Sequence, residues 1–295
     1  MKKSLDFLII GAMKSGTTTL HDYLNEHPGI YMLSPKEPQY FSRDKVFSKG
    51  RGWYEAQFDN ATNEQFCGES STCYSRFPKY DDVVRRIYNY SPSTKLIYIM
   101  RHPVERAYSH YGHLVLKDGR KFSSFEEALE QEPEIISTSL YMSQIQQYLA
   151  LFPKNQLLLI DFEEMIATPE KVIDQVQSFL GLNRLDILPS TKISNDAGNS
   201  NLRKKIINRI RLVRHLPIFK VIIDKLFNKQ QRGDILNYLT NNMLRSGVAK
   251  AHKEKVKLRL GAMTNETRKH LLKEFKADTE SLFNFWDHSN SDWFK

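Results

Sequence analysis

Over the first 182 residues, short apolar runs alternate with longer amphipathic stretches, the pattern of a parallel sheet crossed by helices. Phe7–Ile10 reads as a strand with turn chemistry directly after it, and Thr17–Glu26 as a helix stopped near Pro28. Phe66–Glu69 reads as a short strand and Tyr80–Tyr90 as a helix. Leu96–Met100 is rich in Ile and Leu, which predicts a central strand buried on both faces. Pro103 sits at a natural first helical position before a helix over Val104–Leu116. Further helices are predicted over Ser124–Glu130 and Leu140–Leu151, and a third clear strand over Leu157–Ile160. Pro169–Leu180 is a helix opened by proline and closed by Gly181.

Beyond Asn183 the pattern changes. Ser194–Asn201 clusters Asn, Asp, Gly and Ser and reads as a loop. Arg203–Phe227 carries apolar residues at near-helical spacing with basic residues between them, and Thr264–Trp286 is an amphipathic helix capped by Thr264. No internal repeat or low-complexity tract interrupts the chain.

Composition adds limits. With 40% apolar and 26% charged residues, the 295-residue chain can bury a substantial core. No apolar run reaches the length of a membrane span. Asp6 interrupts what would otherwise resemble a signal peptide, so the N-terminus reads as the first core strand of a protein that stays in the cytoplasm. Cys67 and Cys73 are too few for a disulfide scaffold or a metal cage and read as small buried or half-buried thiols. The net charge of +9 is uneven: Asn201–Leu260 holds sixteen Lys and Arg against three acids, while the remainder holds 27 against 31.

The candidate chemistry begins at Phe7-Leu-Ile-Ile-Gly-Ala-Met-Lys-Ser-Gly-Thr-Thr-Thr-Leu. A strand, a glycine-bearing turn and a helix start aim several unpartnered N–H groups at one place, and the helix dipole favours an anion there. Gly11 and Gly16 allow the turn, Ser15, Thr17 and Thr18 carry hydroxyls, and Lys14 brings a full charge. The Walker A loop has the same glycine separation, but its lysine would stand at Thr17, whereas here it is Lys14. The next central strand ends in Arg101 rather than in an acid that would help hold magnesium. The loop is thus read as a phosphate site without the equipment for a metal–triphosphate, and no metal is expected.

A second constellation, Arg101-His-Pro-Val-Glu-Arg-Ala-Tyr-Ser109, begins at a strand end and runs into a helix. Ligands of open α/β sheets lie at the carboxyl ends of the strands, where Arg101 can fork two donors onto a phosphate. Ser109 follows about two helical turns later, near the same face.

Together, Lys14-Ser-Gly-Thr-Thr and Arg101-His-Pro-x-x-Arg-Ala-Tyr-Ser109 resemble the two nucleotide-binding signatures of the sulfotransferases that use 3′-phosphoadenosine 5′-phosphosulfate. The similar branch contains the heparan sulfate sulfotransferases and their bacterial relatives. The resemblance extends to Leu140-Tyr-Met-x-Gln-Ile, to Leu157–Gly181 and to the last helix with Trp293, so it covers roughly residues 5–182 and 262–294. It implies an α/β fold with a P-loop-type parallel sheet flanked by helices, a single domain over residues 1–295, and a basic helical insertion or subdomain at 201–260. It implies transfer of a sulfuryl group to a hydroxyl or amine of a glycan or glycoconjugate, leaving adenosine 3′,5′-bisphosphate. The first loop, with Lys14, Ser15, Gly16, Thr17 and Thr18, would hold the 5′-phosphosulfate, and Arg101 with Ser109 the 3′-phosphate. In this branch the base is a glutamate after the first helix. Lys36-Glu37-Pro-Gln-Tyr-Phe41 occupies that place, making Glu37 the candidate general base and Lys14 the stabiliser of the departing oxygen. The rival is a histidine base, as in the cytosolic small-molecule branch, with His102, His110 and His113 nearest in sequence.

The chain departs from the pattern in two places. Heparan-type enzymes often carry a lysine after Glu69, where this chain has Ser70. Their late nucleotide loop has no clean counterpart; Asn195–Asn201 followed by Arg203-Lys-Lys is the stretch considered as its replacement. Three readings stand for the basic segment: a solvated helical subdomain, a guide for an anionic glycan, glycolipid or other acidic acceptor, or peripheral contact with an anionic membrane. Nucleic-acid binding has no recognition motif behind it. The alternative functions are a P-loop nucleotide kinase or hydrolase, and a non-catalytic module that binds through the basic segment.

Overall fold

Five parallel strands form one sheet in the order β2-β3-β1-β4-β5. They are β1 (Phe7–Gly11), β2 (Ile30–Met32), β3 (Phe66–Ser70), β4 (Lys95–Met100) and β5 (Leu157–Asp161). This computed structural model describes residues 3–63, 65–183, 260, 262–288 and 290–295. The sheet belongs to a compact unit made of Met1–Pro189 and Met263–Lys295; the second unit, Ser190–Ala262, lies almost wholly outside the described residues. The expectations placed on Ser194–Asn201, on Arg203–Phe227 and on the basic segment therefore fall outside them too.

The strands are apolar throughout because both faces are covered. Leu8 and Ile10 of β1 point into a cluster with Val83 and Ile87 of α4 (Val83–Tyr90), Ile145 and Tyr148 of α8 (Tyr141–Leu149), and Leu282 of α11 (Asn265–Trp286). Phe7 and Ile9 point the other way, toward Leu20 and Leu24 of α1 (Thr17–Asn25), Met165 of α9 (Phe162–Ala167) and Val176 of α10 (Pro169–Leu180). The period-two alternation of a strand thus feeds two separate cores. β4 lies between β1 and β5, and Leu96–Met100 are fully buried, as its composition predicts. Phe7 is in register with Gly68, and a β-carbon on Gly68 would lie 2.2 Å from the Phe7 ring, so β3 is shaped to accept that ring.

Between these elements lie α2 (Asp44–Phe47), α3 (Gly50–Glu55), α5 (Pro103–Leu116), α6 (Phe125–Gln131) and α7 (Glu134–Ser137). Several boundaries follow capping chemistry. Ser124 accepts from Glu127 N at 3.2 Å, and Thr264 from Thr267 N at 3.0 Å. Gly181 ends α10 in the left-handed region at φ 80°. The α4 helix begins at Val83 rather than Tyr80, and β2, α2, α3, α7 and α9 are elements that the sequence pattern does not announce. The last helix fastens the site's supports: Asp278 accepts from the Met142 and Ser143 N–H groups at 2.9 Å each, at the start of α8. Arg268 pairs with Glu105 of α5 at 2.8 Å. Both cysteines are free and buried. Among the described residues, no helix is long and apolar enough to cross a membrane.

Candidate functional site

The carboxyl ends of β1, β3, β4 and β5 open on one edge of the sheet, where the crevice of an open α/β fold lies. β1 passes through Gly11 into a tight loop, with Ala12 N donating to Ile99 O at 2.7 Å and Ser15 N to Ala12 O at 3.1 Å. Lys14 takes φ 71°, a left-handed conformation that few non-glycine residues adopt outside functional turns. Gly16 then caps α1 at φ 88°, and no side chain caps that helix. The first-turn N–H groups of α1 are left for a ligand, with the dipole behind them.

Lys14 is the loop's full charge. Burial, then the neighbouring cations Lys117, Arg101 and Arg106, lower its pKa to about 8, with Asp118 opposing. The cations around Lys14 disfavour its charged form, and a bound anion would favour it. Ser15 is fully buried beside Tyr141, whose hydroxyl donates to Arg101 O at 2.7 Å. Tyr141 thus packs beside the loop while its hydroxyl holds the residue that follows β4.

Arg101 lies with its guanidinium 5.2 Å from the Phe162 ring centroid, and its buried Nε has no protein acceptor. The same ring faces Gly16: a β-carbon there would lie 2.6 Å from Phe162 Cδ2. Phe162 is therefore the shared wall of the phosphate loop and the arginine site. Ser109 is half-buried on α5. Arg106, which the motif places between them, is structural: fully buried, it donates to Ser139 Oγ at 2.6 Å and to Ile135 O.

The histidines divide. His102 is committed to capping α5, its Nδ1 accepting from Val104 N at 3.2 Å. His110 is buried 3.4 Å from Arg106 Nη1, and desolvation and that cation push its pKa far down. His113 is half-buried, 3.5 Å from Asp118, with burial and Lys14 lowering its pKa.

Glu37 enters from the loop after β2. Its backbone is left-handed at φ 64°, with N donating to Ser70 O at 3.1 Å. Its carboxylate accepts from Thr72 N at 3.0 Å and Thr72 Oγ1 at 3.1 Å, and remains partly exposed. Beside it, Lys36 Nζ donates to Thr17 Oγ1 and Thr18 Oγ1, both at 3.0 Å, and stands 3.7 Å from Glu37 Oε1. The candidate base and the phosphate loop are thus linked through one ammonium.

Near Glu37, Glu69, the penultimate residue of β3, is fully buried and receives hydrogen bonds from Tyr54, from Ser71 Oγ at 2.5 Å and from Tyr74 at 3.2 Å. Desolvation outweighs those donors and, with Glu37 nearby, raises its pKa to about 7. At the end of β5, Asp161 caps α9 through Glu163 N at 2.7 Å and accepts from Asn290 Nδ2 at 3.0 Å. Burial, together with Asp161, raises the neighbouring Glu163 to about 7.

The structure therefore gathers Lys14, Ser15, Gly16, Thr17 and Thr18 in one loop, sets Arg101 against it across Phe162, and brings Glu37 to it through Lys36. Sequence reasoning passed over Lys36, Phe162, Glu69 and Tyr141. The available signal was position near a strand's carboxyl end: Glu69 is the penultimate residue of β3, and Phe162 directly follows β5. Among the described residues, no cluster of His, Cys, Asp and Glu could hold a metal ion.

A family model described as sulfotransferase domain matches residues 4–258. The crystal structure of a sulfotransferase from Alicyclobacillus acidocaldarius superposes with a TM-score of 0.57 at 32% identity, covering 69% of this chain and 90% of that one. Heparan sulfate glucosamine 3-O-sulfotransferase 6 of Mus musculus is 30% identical over 185 residues, 60% of this chain and 52% of that protein. Bifunctional heparan sulfate N-deacetylase/N-sulfotransferase 3 of Mus musculus is 33% identical over 197 residues, 60% of this chain and 22% of that protein. The chain spans about half, or less, of the length of these two curated relatives.

Proposed function

The chain belongs to the sulfotransferase family, and from that premise we propose that it moves the sulfuryl group of 3′-phosphoadenosine 5′-phosphosulfate onto a hydroxyl or amine of a glycan or glycoconjugate. Family membership sets aside the nucleotide kinase and hydrolase alternative. The glycan is supported by the names of the heparan sulfate relatives.

The observation that carries this reading is the uncapped start of α1, reached through the Lys14 loop, with the Glu37 carboxylate brought to its edge by Lys36 on Thr17 and Thr18. The orphaned Arg101 Nε and the free first-turn N–H groups fit a ligand with two separate phosphates. In the reaction, the acceptor oxygen or nitrogen forms a bond to sulfur while the bond from sulfur to the bridging oxygen breaks. The electron pair stays on that oxygen, which Lys14 and the loop N–H groups stabilise as it becomes a phosphate oxygen. The acceptor's proton passes to the Glu37 carboxylate, which Thr72 holds in place. Arg101 and Ser109 are assigned to the 3′-phosphate.

Thermal unfolding with adenosine 3′,5′-bisphosphate, with and without magnesium, tests the reading. Stabilisation that needs no metal is expected; at a ligand concentration 100 times Kd it amounts to about 2.7 kcal/mol. No shift, or one that requires magnesium, would count against it.

A further inference from the structure

Lys36 is anchored, yet it keeps one donor in reserve. An ammonium carries three protons. Two go to Thr17 Oγ1 and Thr18 Oγ1 at 3.0 Å, and the ion-paired Glu37 Oε1, at 3.7 Å, is beyond an ordinary hydrogen bond for the third. The side chain is largely enclosed, 17% exposed, so solvent does little to satisfy that proton. Because Thr17 and Thr18 accept from Lys36, their own O–H groups stay available as donors. The ammonium therefore lies between the helix start that receives the phosphate and the carboxylate that receives the proton. In an in-line displacement, the group between those two poles is the one being transferred.

We propose that Lys36 is the lysine that holds the sulfuryl oxygens, a role separate from that of Lys14 at the bridging oxygen. The inference rests on the sulfuryl-transfer reading above. It explains why a lysine is spent on two threonine hydroxyls: they fix its ammonium at the height of the sulfur. In a Walker loop the lysine comes from the residue after the second glycine; here that residue is Thr17, and Lys36 reaches its hydroxyl from a different strand connection. Both lysines donate without moving a proton of their own, so the atom balance of the transfer is unchanged.

The two nucleotides differ by the sulfuryl group alone, so affinity can isolate the contact without an identified acceptor. Calorimetric Kd values are measured for 3′-phosphoadenosine 5′-phosphosulfate and for adenosine 3′,5′-bisphosphate, with wild type and Lys36→Met. The phosphosulfate should lose at least about tenfold, the usual scale for one charge-assisted hydrogen bond. The bisphosphate should change by less than about threefold, which also shows that the loop is intact. If both affinities fall alike, or neither falls, in a wild type that binds both, the assignment of Lys36 is overturned while the function stands. A wild type that binds neither nucleotide overturns the function and this inference with it. Should Lys36→Met fail to fold, Lys36→Gln, which keeps a donor without the charge, is read by the same two outcomes.

Discussion

The Phe162 ring occupies the space a side chain at Gly16 would need: a β-carbon there would stand 2.6 Å from Cδ2 and 2.7 Å from Cε2. With φ at 88°, Gly16→Ala meets backbone strain as well as the clash. The variant should lose about 1–3 kcal/mol of stability and most of its affinity for adenosine 3′,5′-bisphosphate. Adding Phe162→Leu should recover part of the stability. Urea unfolding of the single and double variants checks this, and equal stabilities would show that the ring is not the obstacle.

With Lys14 in the nucleotide site, binding should depend on pH. With its pKa lowered to about 8, the free protein carries the charged form below that pH and loses it above. An anion binds the charged form, so affinity for adenosine 3′,5′-bisphosphate should be greatest below pH 8 and fall as pH rises through it, by at most about tenfold per unit. In Lys14→Arg the decline should disappear, because a guanidinium stays charged throughout. A wild-type affinity that is flat from pH 7 to 9.5 would contradict the assignment.

Arg101 gives a selective prediction. If its unpartnered Nε serves the 3′-phosphate, Arg101→Ala should weaken adenosine 3′,5′-bisphosphate at least about tenfold more than adenosine 5′-phosphate. Equal losses would move the 3′-phosphate elsewhere.

Glu37→Gln should bind nucleotide as the wild type does and lose turnover by about 10²–10⁴ on a glycan that the wild type sulfates. His102 and His110 are poor rivals, one committed to a helix cap and the other buried against Arg106. His113→Ala is the control that matters, since His113 lies near Lys14. A normal Glu37→Gln beside an inactive His113→Ala would name the histidine as base.

Glu69 ties stability to pH in the opposite sense from an ordinary carboxylate. Burial raises its folded pKa to about 7, from an ordinary value of 4.5. Its contribution is complete below pH 4.5 and is lost as pH rises through 7, amounting to up to about 3 kcal/mol. Glu69→Gln should remove that dependence, so in denaturant unfolding the wild type should lose stability relative to the variant between about pH 4.5 and 7 and run parallel to it above that. Curves parallel throughout would mean that Glu69 stays in one protonation state.

The fold was legible where periodicity and punctuation agreed. Leu96–Met100 could only be an inner strand, and Pro169 and Gly181 bracket α10 as their chemistry requires. β2 was not legible, because three residues carry too little pattern to separate a strand from a turn. In the site, Lys14 and Arg101 were readable because each adjoins the strand end that places it. Lys36 was not: eighteen and nineteen positions separate it from the threonines it contacts, and only the return of the chain through β2 closes that gap. Phe162 is one apolar residue among many in the sequence, and its place at Gly16 exists only in three dimensions.

The strand order also sets a timetable for synthesis. β1 emerges first, yet both of its partners lie downstream, β3 at Phe66–Ser70 and β4 at Lys95–Met100. At about 5–20 residues per second, β4 follows β1 by roughly 4–18 s. For most of that interval the nascent apolar run Phe7–Ile10 has no partner strand, and until β4 follows β3 the loop behind it cannot take the shape that Ile99 fixes through Ala12 N. The loop that carries Lys14 is therefore completed late in synthesis, when β4 has followed it out of the ribosome, and until then its apolar strand is a hazard for aggregation.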